Sequence, residues 1–222
     1  MNDKKNIGVF ASFDEGYKSI GDITYPILKK YCDRWGYDCT LYTKRISDRF
    51  IVWEKIKILI DNLDKYDFCV WVDSDMLVTN FTKRIEDIIG TYKDKDLIIS
   101  SDCHNLNSGF MIFKSTEWSK QFLDKVWNID VNHSIFNAIC NFWTDQGEQL
   151  AIIGKLRESQ EDRDKTAVVS QRLFNSYLYT LYDRPDTTPG NWEVGDFILH
   201  LPGCSTEQRV NIFTEKLKEI IY

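Results

Sequence analysis

The strongest constraint in this chain is a run of five apolar residues followed at once by two acids. Residues Phe68 to Val72 read FCVWV, and Asp73-Ser74-Asp75 comes directly after them. A continuous apolar run of this length is expected of a central strand buried on both faces. Two ionised carboxylates do not enter a core without partners, because desolvation costs several kcal/mol per ion. Placing them at the end of the strand, facing a cleft, avoids that cost. If the chain stays extended there, positions two apart point the same way, so one divalent cation could contact both. Hard carboxylate oxygens suit Mg²⁺ or Mn²⁺. Asp and Ser are also common turn residues, so the triplet alone reads as a turn as well.

The rest of the pattern supplies a sheet around that strand. Asn6 to Ser12 (NIGVFAS) is a second buried run, followed by a polar loop from Phe13 to Gly21. Ile23, Ile27, Tyr31 and Trp35 recur at near-helical spacing, with Pro26 early in the helix and Gly36 as its stop. Cys39 to Thr43 is a short strand. Trp53, Ile56, Ile60 and Leu63 mark an amphipathic helix. Leu97 to Ser101 and Gly109 to Phe113 are strands, and Trp118 to Trp127 is a helix. Another helix runs from Asp145 to Leu156, capped by Thr144 or Asp145. AVVS and FILHL are late strands on either side of a Pro/Gly-rich loop, Asp183 to Asp196. Glu207 to Tyr222 closes the chain as a helix, with Ser205 and Gln208 as a capping box. Alternating strands and helices imply an α/β fold with a mostly parallel, Rossmann-like central sheet. Ligands of such sheets sit beyond the carboxyl ends of the strands. The 222 residues contain no repeat or long linker, which predicts one domain over residues 1–222.

Composition removes several classes. Hydrophobic residues make up 43% and charged residues 28%, an ordinary globular balance that excludes disorder. The net charge is −6 and no basic run reads as a nucleic-acid footprint. An acidic chain still binds an anionic nucleotide where a metal ion neutralises the phosphates. Cys32, Cys39, Cys69, Cys103, Cys140 and Cys204 form no C-x-x-C pair, so they read as reduced thiols of a cytoplasmic protein, not a zinc site. The first residues, MNDKKNIGVFAS, are too polar for a signal peptide. No stretch approaches the roughly 20 apolar residues of a membrane span.

Four stretches, taken together and in order, resemble the A-type fold (GT-A) glycosyltransferases, and most nearly the galactosyl/xylosyl/mannosyltransferase family of fungi and plants. They are Trp53 to Val78, with a Trp-x-Lys helix and the D-x-D strand end; Asp102 to Trp127, with Asn107 and Gly109 before a Trp-containing helix; the pair Asp145-Gln146; and His200, Gly203 and Cys204. Their specificity lies in the set. The resemblance implies a metal-dependent enzyme that moves a hexose or pentose from a nucleotide-diphosphate sugar, with UDP as carrier, to a glycan or other hydroxyl acceptor with retention.

The resemblance also implies roles. Asp75 would bind the metal; Asp73 would contact metal, ribose or both; and His200 would be the third ligand. The His200 nitrogen tilts preference to Mn²⁺ over Mg²⁺. Phe10, Ala11, Ser12 and Tyr17 would form the nucleotide-binding strand and loop, with Lys55 near the phosphates and Ser74 and Gly203 beside the donor. Asn107 and Gly109 would line the donor sugar or acceptor, and Asp102 would bond sugar hydroxyls. Asp145 and Gln146 would lie near the anomeric carbon, with Asp145 the candidate nucleophile if one exists. Some plant members carry Lys directly after the Gly-Cys; here Ser205 stands there, with Arg209 one helical turn on as a substitute.

Two alternatives accompany this reading. One is a nucleotide-sugar-binding protein without transfer activity. The other is a haloacid-dehalogenase-like phosphatase, which also places D-x-D after an apolar strand. That motif usually lies near the start of the chain with Thr or Val two residues on, where this chain has Leu77.

Overall fold

A strand covered on both faces needs hydrogen-bonding neighbours on both edges, and this requirement organises the sheet. The computed structural model describes residues 5–103, 105–129 and 147–222, and its elements are numbered here in chain order. FCVWV is strand β3 (Phe68–Val72), buried along its whole length. On one edge β1 (Ile7–Ser12) pairs with it in parallel; on the other β6 (Asn105–Lys114) runs antiparallel. With β2 (Asp38–Tyr42), β5 (Leu97–Asp102) and β7 (Thr166–Val169) the order is β2-β1-β3-β6-β5-β7. The β1–β2 and β5–β7 pairs are parallel, so β6 alone runs against the other strands. The fold is α/β with a mostly parallel sheet, as the alternation of elements predicts.

Successive strand residues point to opposite faces, and β3 feeds two cores. Val70 and Val72 pack with Leu28 and Tyr31 of α1 (Lys18–Trp35). Cys69 and Trp71 pack with Ile56 and Leu59 of α2 (Glu54–Asn62), Phe122 of α4 (Glu117–Trp127) and Ala151 of α5 (Gly147–Glu158). A smaller third core holds Ile20, Leu77, Trp192, Leu199, Leu201 and Phe213. It lies against a two-stranded antiparallel ribbon of β4 (Met76–Val78) and β8 (Ile198–His200), with α7 (Thr206–Lys216) alongside.

Several elements differ from the sequence reading. The loop expected up to Gly21 is a 3-10 turn, Glu15–Tyr17, capped by Asp14, after which α1 starts at Lys18. Pro26 is therefore inside the helix, where it removes one N–H from the ladder. The buried face of α1 includes Gly21 and Thr24, which hides the apolar period at its start. The strand expected from Gly109 begins at Asn105. Strand β4 and helices α3 (Ile85–Thr91) and α6 (Gln160–Asp164) are short elements that periodicity did not reveal. The capping box of Ser205 and Gln208 is present, but α7 ends at Lys216 and a 3-10 turn follows.

Candidate metal and donor site

The D-S-D triplet is the turn that carries the chain from β3 into β4. The Asp73 N–H donates to the Gly109 carbonyl at 2.8 Å, and the Met76 N–H returns to the Asp73 carbonyl at 3.2 Å. Thr24 Oγ1 of α1 donates to the Ser74 carbonyl at 2.8 Å. Of the two readings left open for the triplet, extended or turn, the chain takes the turn, and the two acids still converge. The β4–β8 register places Met76 opposite His200, and the Leu201 N–H donates to the Asp75 carbonyl at 3.1 Å. Asp73, Asp75 and His200 each offer one ligand atom, and these atoms lie within 4.8 Å of one another.

Each ligand is held from outside. Trp71 Nε1 donates to Asp73 Oδ1 at 2.6 Å, and Lys55 Nζ lies 3.0 Å from the same oxygen. Lys55 is buried and also contacts Glu148 Oε1 at 3.1 Å. It lies buried among carboxylates, because buried acids require a counter-charge. Burial pulls the Lys55 ammonium down, but Asp73 and Glu148 outweigh it and the net direction is up. Burial pushes the Asp73 carboxyl up, against the pull of Lys55, and the Asp75 charge adds to the rise. Burial also acts upward on Asp75, yet His200 and then the Arg209 guanidinium hold it below the ordinary carboxylate value.

The donor set fits a divalent cation. His200 Nδ1 lies 2.6 Å from Asn175 Oδ1, an acceptor, so the ring proton belongs on Nδ1 and the Nε2 lone pair faces the site. Nε2 is 3.3 Å from Asp75 Oδ1. Two acceptors that face each other at that distance are satisfied by a shared cation or by a proton on the ring. A hydroxyl hub supports the arrangement: Tyr177 Oη donates to Asp102 Oδ2 at 3.0 Å and accepts from Asn107 Nδ2 at 3.1 Å and Asn175 Nδ2 at 3.4 Å. Tyr177 and Asn175 were missed in the sequence because their segment carries no motif.

Gly109 is required by space. A Cβ there would meet Asn107 Oδ1 and His200 Cε1, each at 2.8 Å. Asn107 Oδ1 accepts the Gly109 N–H at 2.9 Å, which folds that side chain back onto the strand. Asp102 also accepts the Asn105 N–H at 2.9 Å, so it combines a turn role with the Tyr177 network.

The remaining candidates separate. The Phe10 ring is core, edge-on to Tyr66, and Ala11 is buried; Ser12 ends β1, and the Tyr17 ring is half-exposed. Gly203 adopts a left-handed φ of 70° and turns the chain from β8 toward α7. Arg209 lies one helical turn on from Ser205, its N–H donating to the Ser205 carbonyl at 3.0 Å; its guanidinium is buried, 5.4 Å from the Tyr17 ring, and bonds Asp75. Asp145 and Gln146 lie outside the described residues. Directly after them, the buried Glu148 accepts from Ser108 Oγ at 3.0 Å, and Gln149 Oε1 accepts the Ser108 N–H at 3.0 Å. Glu148 Oε2 is buried without a hydrogen-bond partner among the described residues. The sequence DQGEQ holds two acid–Gln pairs, of which the described one, Glu148-Gln149, contacts Lys55 and Ser108.

A mostly parallel α/β sheet with an Asp-x-Asp turn at the end of its central strand and a His from a late strand beside it defines a GT-A glycosyltransferase fold. One crystal structure with this fold is a glycosyltransferase involved in glycosylation of the major capsid of PBCV-1; it superposes with a TM-score of 0.70 at 15% identity, covering 95% of this chain and 99% of that one. The galactosyltransferase LgtC, solved with donor and acceptor sugar analogs, gives a TM-score of 0.53 at 14% identity over 97% of this chain and 96% of that one. By sequence, the chain belongs to the galactosyl transferase GMA12/MNN10 family, which it matches over residues 89–211, more than half its length. That span contains Asn107, Gly109, Glu148, His200 and Arg209, and starts after Asp75. Among curated relatives, an alpha-1,2-galactosyltransferase of Schizosaccharomyces pombe is 22% identical over 80% of this chain and 54% of its own length. "Probable alpha-1,6-mannosyltransferase MNN10" of Saccharomyces cerevisiae is 25% identical over 54% of this chain and 40% of its own length. The chain thus spans about half the length of the curated relatives it matches.

Proposed function

We propose that this chain, as one domain, is a metal-dependent transferase that moves a hexose or pentose from a nucleotide-diphosphate sugar, with UDP as carrier, to a glycan hydroxyl with retention. The observation that supports this most is the convergence of Asp73, Asp75 and His200 at the end of the central strand. These residues would hold Mn²⁺, or Mg²⁺. When bound, the ion supplies Lewis-acid stabilisation to the charge that develops on the departing diphosphate. The relatives' names favour galactose or mannose as the sugar.

The chain's own groups have distinct parts in this reading. Lys55 and Trp71 fix Asp73 as an anchored, charge-paired carboxylate that keeps lone pairs for a cation. That disfavours Asp73 as a nucleophile, and with it the phosphatase alternative. Glu148 Oε2 is the oxygen left for a sugar hydroxyl, and Gln149 beside it on α5 bonds Ser108 of β6, the strand that carries Asn107. Attack on the face the diphosphate leaves, with that diphosphate accepting the acceptor's proton, needs no protein nucleophile; Asp145 is the candidate if one acts. Cys32, Cys39, Cys69, Cys103 and Cys204 are free thiols, which supports a reducing, cytoplasmic setting. Among the described residues no helix is long and apolar enough to cross a membrane.

A thermal-shift panel of UDP-, GDP- and dTDP-sugars with and without Mn²⁺ tests the proposal, since a ligand of the native state raises apparent stability. The expected result is a rise that needs both a UDP-sugar and the metal. No shift with any sugar nucleotide, with or without metal, would sink the reading. A binding protein without transfer is the second reading, favoured by Ser205 in place of the Lys. It predicts the same shift with neither donor hydrolysis nor transfer across a broad acceptor panel.

A further inference from the structure

Arg209 is a buried cation beside Asp75; the resemblance offers it as a substitute for the Lys that follows Gly-Cys, but its guanidinium is turned to Asp75. Its Nη2 donates to Asp75 Oδ2 at 2.8 Å and its Nε to the Leu201 carbonyl at 2.9 Å. The Leu201 N–H donates in turn to the Asp75 carbonyl at 3.1 Å. These three bonds close a ring that ties the turn after β3 to the residue after His200. A planar guanidinium serves two acceptors at once, which an ammonium cannot do in the same geometry.

The local sequence builds this return. Gly203 takes its left-handed turn, Ser205 and Gln208 cap α7, and the first turns of that helix bring Arg209 back over Asp75. The two Asp75 oxygens are thereby distinguished. Oδ2 is taken by Arg209, while Oδ1 faces His200 Nε2 at 3.3 Å.

We propose that Arg209 is a positioning residue of the metal site: it occupies Asp75 Oδ2, so that Asp75 offers a cation Oδ1 alone, and its charge holds down the affinity for a free divalent ion. This rests on the metal-site reading above. Two effects of removing it run in opposite directions. Loss of the like charge strengthens cation binding. Loss of the fork frees Asp75 to chelate with both oxygens, which moves the ion away from the place set by Asp73 and His200.

The test titrates the full chain with Mn²⁺, following the electron paramagnetic resonance signal of free ion, alongside turnover of the UDP-sugar the thermal panel selects. Arg209→Met is expected to bind Mn²⁺ about tenfold tighter than wild type and to turn over about tenfold more slowly. Arg209→Lys keeps the charge without the fork, so it is expected to bind Mn²⁺ within about threefold of wild type and to turn over at an intermediate rate. A purely structural arginine would lose binding and turnover together. Folded Arg209→Met with unchanged or weaker Mn²⁺ binding overturns the assignment. If Arg209→Met does not fold, Arg209→Lys decides: loss of Mn²⁺ binding in that variant overturns it equally. A wild-type chain that leaves the Mn²⁺ signal unchanged, even with UDP present, overturns the metal-site reading itself and this assignment with it.

Discussion

The six-stranded sheet and the β4–β8 ribbon meet at the D-S-D turn, yet different forces hold them. In the sheet, β3 is covered on both faces by two large apolar clusters. Area removed from water accounts for its rigidity. The ribbon strands are three residues long and lie between two cores: Met76, Val78 and Ile198 join the large cluster with Leu28 and Tyr31, and Leu77 and Leu199 join the small one. Polar ties do much of the rest: Thr79 Oγ1 donates to the Asp196 carbonyl at 2.8 Å and accepts from Trp192 Nε1 at 3.2 Å, and Arg209 binds Asp75. Asp73 stands at the end of the rigid part, while Asp75 and His200 stand on the polar-tied part. The difference teaches that a metal here would join a long sheet to a short ribbon that supplies two of its three ligands, so its affinity should track the ribbon more than the sheet.

The harshest way to break this comparison is to take one ligand from the ribbon. Asp75→Asn keeps the size and a partner for Arg209 but removes the charge. Turnover of the UDP-sugar with Mn²⁺ is expected to fall by more than the roughly 100-fold that loss of a supporting partner costs. The metal-dependent rise in melting temperature should vanish with it. Undiminished metal-dependent turnover in this variant would leave the two bodies unconnected by any ion.

A pair of core truncations sharpens the contrast. Ile99 in the sheet and Leu199 in the ribbon are both fully buried. Each change to Ala is expected to cost about 2–5 kcal/mol in denaturant unfolding. Only Leu199→Ala should also weaken Mn²⁺ binding, because Leu199 precedes the ligand His200. Equal effects of the two variants on Mn²⁺ affinity would remove the distinction between sheet and ribbon. Gly109→Ala acts at the seam itself. Its new methyl would press on Asn107 Oδ1 and His200 Cε1, each at 2.8 Å, for an expected loss of about 1–3 kcal/mol. Turnover should drop as His200 shifts; full activity would mean that the His200 ring yields without consequence.

The same division explains what the sequence made legible. The central sheet announces itself through buried runs such as FCVWV, and the acids at its end follow from the impossibility of burying them unpaired. The ribbon does not announce itself. Three residues are too few for a period, so β4 was missed and D-S-D stayed open between an extended strand end and a turn. His200 entered only through resemblance. Tyr177 and Asn175 carry no motif, and the bond from Tyr177 to Asp102 joins residues 75 positions apart, a separation no local pattern encodes. Glu148 was passed over because the neighbouring Asp145-Gln146 matched the family pair first. The contacts of Lys55 with Asp73 and Glu148 were not legible, because these groups converge only once β3, α2 and α5 have packed.

The mildest perturbation tests whether the ribbon depends on helix α7 being well started. Ser205 accepts the Gln208 N–H at 3.2 Å, and Gln208 Oε1 accepts the Ser205 N–H at 2.9 Å. Ser205→Ala removes the side-chain half of that reciprocal cap, a loss of about 1 kcal/mol. The fully buried Phe213 and the bond from Arg209 Nε to the Leu201 carbonyl still anchor the helix, so α7 should fray at its first turn without leaving its place. Denaturant unfolding is therefore expected to show the cap's loss, while Mn²⁺ affinity stays near wild type and Ser205→Thr recovers most of the stability. A fall in stability several-fold larger, accompanied by altered Mn²⁺ affinity, would mean that the cap, and not Arg209, fixes the position of the helix over Asp75. The hold on the metal ligand would then lie in the turn after His200.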